Sequence, residues 1–81
     1  MNTKDREICK IFGAQVRRIR IAQGFGKREF ALHADIEYSQ LSKIERGDAN
    51  PTLITVELIA DGLGIQMKEL FDFKTSSKSK K

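Results

Sequence analysis

The sequence predicts an all-α fold. Leu, Ile, Ala and Glu outnumber Val, Thr, Tyr and Phe. Apolar residues recur at steps of three and four, the period of a helix face and not the alternation of a strand. Gly24, Gly47, Pro51 and Gly64 fall between those periodic runs, where helices stop. With 81 residues there is room for one domain. A core this small is marginal, so local helical contacts or a partner subunit must contribute. The domain is expected over residues 1–73, followed by a basic tail over 74–81.

Residues 1–4 are expected to fray. Asp5 and Glu7 suit a first helical turn, where carboxylates offset the dipole. Ile8, Phe12, Val16 and Ile19 then mark one face, widened by Ile11 and Ala14, so the first helix should run from about residue 5 to Gln23. Arg17 and Arg18 project as a basic pair that suits either a solvated face or a phosphate contact. Gly24 is the natural stop.

Phe25 is placed to pack as a staple and Gly26 to cap the second helix, Lys27–Ala34. Glu29 suits the dipole of that helix, whereas Lys27 and Arg28 in its first turn oppose it. Two cations on a helix N-terminus make a seat for a phosphate, or stand as solvated surface charges. Asp35 falls at a sharp turn, where Asp tolerates left-handed backbone better than most residues. Glu37 lies at the start of the third helix, Tyr38–Arg46, which Gly47 ends.

Phe30, Ala31, Ala34, Ile36, Leu41 and Ile44 are the expected buried anchors of this two-helix unit. Between them stand Tyr38, Ser39, Gln40, Ser42 and Lys43. So narrow an apolar stripe leaves a broad polar face, carrying donors and acceptors of the kind that reach base edges.

Pro51 keeps Asp48 to Asn50 out of a helix. Thr52 can cap a fourth helix with a buried stripe of Leu53, Val56, Ile59, Ala60 and Leu63, broken by Gly62 and Gly64. Gln66 with Glu69 resembles a capping box for a short fifth helix from Met67 to about Asp72, burying Leu70 and Phe71. From Lys74 the chain is basic and free of apolar residues, hence expected to be disordered.

The formal net charge is +4. Residues 1–73 hold 11 basic and 11 acidic groups, so the excess sits in Lys74, Lys78, Lys80 and Lys81. The body is neutral but divided. Residues 1–46 carry 10 basic against 6 acidic groups, and residues 47–73 carry 1 against 5. The basic half contains the two-helix unit, so an anionic partner would meet that side. One cysteine, Cys9, makes no internal disulfide, which fits a reducing compartment, and it suits inert packing better than redox sensing. No signal segment or membrane-length apolar run is present, so a cytoplasmic location is expected. No metal spacing, glycine-rich phosphate loop or nucleophile motif occurs, and His33 reads as a surface residue. An enzyme, a cofactor or a metal is not expected.

The stretch Gly13 to Phe71 resembles the phage-repressor and Cro-like helix-turn-helix family, also called the xenobiotic-response-element family. GAQVRRIRIAQG looks like its first helix, Phe25 to Ala31 like its second, and LIADGLGIQMKELF like its last two. LSKIERGDANPTL is the closest match, with Ser42, Ile44, Glu45, Arg46, Gly47 and Pro51 at family spacing.

The resemblance implies a compact five-helix repressor-like domain whose third helix docks in the major groove of DNA. Tyr38, Ser39 and Lys43 would read bases, flanked by Gln40 and Glu37. Lys27, Arg28, Ser42, Arg46 and Asn50, with Arg17, would hold phosphates. Arg20 and Glu45 would form a structural ion pair. Lys27 stands where the family usually has glutamine, Asp35 where it often has glycine, and Phe30 where it has leucine.

One such domain reads few base pairs, so a homodimer on a palindromic operator is expected. With no effector domain expected after Phe73, it would act by occupancy, as a repressor or restriction-system controller encoded by a bacterium or phage, blocking or touching RNA polymerase. The expected dimer contacts are Ile65, Met67, Leu70, Phe71 and Phe73. The alternative is an antitoxin that binds a toxin protein and its own promoter.

Overall fold

The computed structural model describes residues 3–74, so the expected tail lies outside the described residues beyond Lys74. Five helices follow in order: α1 (Thr3–Ala22), α2 (Lys27–Ala34), α3 (Tyr38–Arg46), α4 (Leu53–Leu63) and α5 (Met67–Leu70). None among the described residues is long and apolar enough to cross a membrane.

The boundaries follow from local chemistry. Gly26 enters α2 with extended backbone, and its N–H donates to the Glu29 carboxylate at 3.3 Å. Asp35 ends α2 in the left-handed region, at φ 62° and ψ 42°, the only non-glycine residue among those described to adopt it. There its N–H and that of Ile36 satisfy carbonyls of the last turn. Thr52 caps α4, its hydroxyl accepting from the Thr55 N–H at 3.1 Å. The Gln66 N–H donates to Glu69 at 3.1 Å, half of a capping box.

α1 packs on α3, and α2 on both α3 and α4. The fully buried side chains are Val16, Phe30, Leu41, Ile44, Ile59 and Leu70. Each large one contributes about 1.5–3 kcal/mol on leaving water.

Two glycines set how closely helices meet. A Cβ on Gly13 would run into the Ile44 carbonyl oxygen, so α1 and α3 touch backbone to backbone there. A Cβ on Gly62 would stand 2.9 Å from Ala34 Cβ and 3.1 Å from the Phe30 ring. Gly62 therefore does not break α4. It lies within the helix and makes room for the bulky Phe30.

The structure corrects several expectations about burial. Ala14 is exposed, because α1 buries Cys9, Phe12, Gly13, Val16 and Arg20 instead. Leu53 is 78% exposed, since it opens α4 on the side away from the core. Phe71 is 47% exposed, because α5 ends at Leu70 and the Phe71 ring stacks on Phe12 at 5.1 Å. α1 begins at Thr3, earlier than the acidic residues suggest.

Gly13→Ala should destabilise the domain by about 1–3 kcal/mol, the usual cost of overpacking. Urea denaturation checks this: the midpoint should fall while the slope stays constant.

Candidate nucleic-acid interface

α3 divides its residues sharply. Leu41, Ile44 and Glu45 are buried. Tyr38, Ser39, Lys43 and Arg46 are exposed, and Gln40 and Ser42 are half-buried. The outer face of α3 thus offers a ridge of hydroxyl, phenol and ammonium groups, backed by apolar contacts that fix its direction.

The backing includes a buried ion pair. Arg20 Nε donates to Glu45 Oε2 at 2.7 Å, and Nη2 donates to Oε1 at 2.9 Å. Arg20 Nη1 also donates to the Phe25 carbonyl at 2.8 Å. The fork-on-carboxylate geometry suits arginine and not lysine. The hydrogen bond to Glu45 raises the Arg20 pKa above its ordinary value, burial opposes that, and the charge of Glu45 adds to the rise. A raised cationic pKa yields stabilisation at all pH values below the unfolded-state pKa, lost only as pH climbs through the folded one. This guanidinium therefore stays charged throughout the working range.

At the mouth of the ridge, α2 brings two cations over Tyr38. The Arg28 guanidinium carbon lies 4.3 Å from the ring centre and Lys27 Nζ lies 5.9 Å from it. Both belong to the first turn of α2, so the helix N-terminus, Lys27, Arg28 and Tyr38 form one electropositive corner.

Other residues predicted for the site are placed differently. Gln40 Nε2 donates to Thr55 Oγ1 at 3.3 Å, and Thr55 in turn accepts from the Thr52 hydroxyl at 3.1 Å. Gln40 is thus engaged with α4, and its amide is not simply presented to solvent. Glu37 is the N-cap of α3 but makes no side-chain cap bond. Arg46 pairs with Asp48 at 3.0 Å in an exposed position, an interaction of little strength. Arg17 is exposed on α1. Asn50 is exposed and lines an apolar hollow with Ile8, Phe12, Leu53 and Phe71, so it is not gathered with the α2 cations.

The predicted dimer set also divides. Leu70 is wholly buried in the protomer and has nothing to offer a partner. Ile65, Met67 and Phe73 pack partly against the core, and Phe71 is exposed. Three residues absent from that set are more exposed still: Leu32 at 85% on α2, and the neighbours Leu53 at 78% and Ile54 at 70% on α4. The helical period alone did not mark Leu53 and Ile54, since adjacent residues of the same helix, Ile59 and Ala60, are both buried.

A helix-turn-helix family model matches residues 16–70. The chain belongs to the helix-turn-helix family. It is 38% identical over 66 residues to control protein C.BamHI of Bacillus amyloliquefaciens, covering 80% of this chain and 82% of that one. It is 34% identical over 61 residues to control protein C.MunI of a Mycoplasma species, covering 74% and 82%. Among solved structures it matches the restriction-modification controller C.AhdI from Aeromonas hydrophila. That match has a TM-score of 0.77 and 30% identity, and covers 79% of this chain and 97% of that one. In this helix-turn-helix fold, α2 and α3 with the Asp35 turn are the motif itself.

Glu45→Ala should cost about 3–5 kcal/mol, because it strands a buried guanidinium. A loss below about 1 kcal/mol in urea denaturation would show that water reaches Arg20 freely.

Proposed function

We propose that this helix-turn-helix chain is a sequence-specific DNA-binding transcription regulator, acting as a homodimer on a twofold-related operator. The observation that carries the reading is the exposed polar ridge of α3. Lys43 can donate to guanine O6 or N7, and Ser39 can donate or accept. The Tyr38 ring can touch a thymine methyl, and Glu37 can accept from cytosine N4. Ser42 and Arg46 flank the ridge as phosphate contacts, and Lys27, Arg28 and Arg17 supply further positive charge. Gln40 serves as a brace to α4. The likeness to control proteins favours a restriction-system controller over the antitoxin alternative. Occupancy of a promoter, by blocking or touching RNA polymerase, is the mode of action this supports.

A second copy supplies the other half-site. Leu53 lines one hollow with the exposed Phe71, Ile8, Pro51 and Val56. Leu53, Ile54, Glu57 and Met67 border a second depression. Contiguous apolar surface on a small domain marks an association face. We assign the dimer contact to Leu53, Ile54, Met67 and Phe71, with Ile65 and Phe73 at its margin.

Selection from random duplex DNA should enrich one sequence with twofold symmetry. On that duplex, Lys43→Ala should cost about 1–3 kcal/mol while random DNA binds as before. Equal weakening on both would refute base reading by Lys43. Ile54→Glu should leave the fold intact, give a monomer in sedimentation, and lower operator affinity by about a hundredfold. A variant that remains dimeric would place the interface elsewhere.

A further inference from the structure

The function proposed above gives Tyr38 a contact to a base and Arg28 a contact to a phosphate. Here they touch. The guanidinium carbon sits 4.3 Å from the ring centre, a stacking distance, with Lys27 Nζ farther off at 5.9 Å. Arg28 is exposed, and Tyr38 is 41% exposed, so core packing alone does not hold either side chain. The two residues belong to different helices on opposite sides of the Asp35 turn.

We propose that Arg28 is a positioning residue for Tyr38 and thereby for sequence preference. This rests on the DNA-reading role of α3 proposed above. A guanidinium has two usable surfaces. Its flat face stacks on an aromatic ring, while its N–H edge is still able to grip an anion. Bound to a phosphate by that edge, Arg28 carries the Tyr38 ring with it. The backbone register then fixes where the phenol meets a base edge. Lysine keeps the charge at this position but lacks the flat face. The pair therefore behaves as one unit, linking phosphate grip on α2 to base reading at the start of α3.

The chain has one tyrosine, so a ring-current displacement that is lost on Tyr38→Leu is assigned to the Tyr38 ring. In the free protein, the Arg28 side-chain protons should resonate upfield under the ring current, and Tyr38→Leu should abolish that displacement. Protons at their ordinary positions would overturn the stack. For DNA, the probe is a labelled duplex carrying the sequence that the wild-type chain enriches from a random pool. Arg28→Lys should lower the ratio of enriched to random affinity by about two- to fivefold, leaving the salt slope unchanged. The same change should still act in a Tyr38→Phe background and do nothing in a Tyr38→Leu background. An unchanged ratio for Arg28→Lys in the wild-type background would overturn the proposal, as would an equal drop in the Tyr38→Leu background. Failure of the wild-type chain to enrich any sequence would defeat the DNA-reading role itself, while the upfield signal in the free protein persisted.

Discussion

Behind the exposed ridge of α3 lies a charge pair that water scarcely reaches. Arg20 spends its donors on both oxygens of Glu45 and on the Phe25 carbonyl. One side chain thereby joins α1, the loop into α2, and α3. Compared with well-packed apolar residues, such a pair adds little net stability. Its geometric demand is severe, because a planar fork accepts few arrangements. Together with the backbone contact at Gly13, it fixes how α3 is rotated about its own axis. That rotation decides which side chains face water, and so what the motif is able to read.

From this constraint the surface divides in two. The α2–α3 corner gathers Lys27, Arg28, Tyr38, Ser39 and Lys43, a cationic and hydrogen-bonding face suited to duplex DNA. The part from Leu53 through Phe71 exposes apolar side chains among carboxylates and is poor in cations. Gln40, Thr55 and Thr52 run between the two as a hydrogen-bonded chain. The helix proposed to meet DNA is therefore braced directly on the helix proposed to meet a second copy. A domain this small gains from such an arrangement, since few residues lie between recognition and assembly.

Much of this was legible in the sequence. The bounds of α2 and α3 followed from Gly26, Asp35 and Gly47, because backbone preferences at helix ends are local. Arg20 and Glu45 were paired through family resemblance, and the structure brings them together. Burial was harder to read. Leu53 and Phe71 follow the helical period yet stand in solvent, since periodicity marks apolar positions without saying what covers them. Gly62 looked like a breaker because its reason lies across the fold, in the Phe30 ring and Ala34. Gln40 sat on the polar face, but its partner Thr55 is fifteen residues away on another helix. The contact of Arg28 with Tyr38 likewise spans a turn and leaves no mark on local pattern.

The decisive question is whether the outer face of α3 enters the major groove. Methylation interference on the enriched duplex asks it directly. Methyl groups on guanine N7 lie in the major groove, and those on adenine N3 lie in the minor groove. Loss of binding should concentrate at guanine N7 in two symmetric patches, with centres about 34 Å apart. Interference confined to adenine N3, or absent from both grooves, would mean that Lys43 and its neighbours never meet the bases.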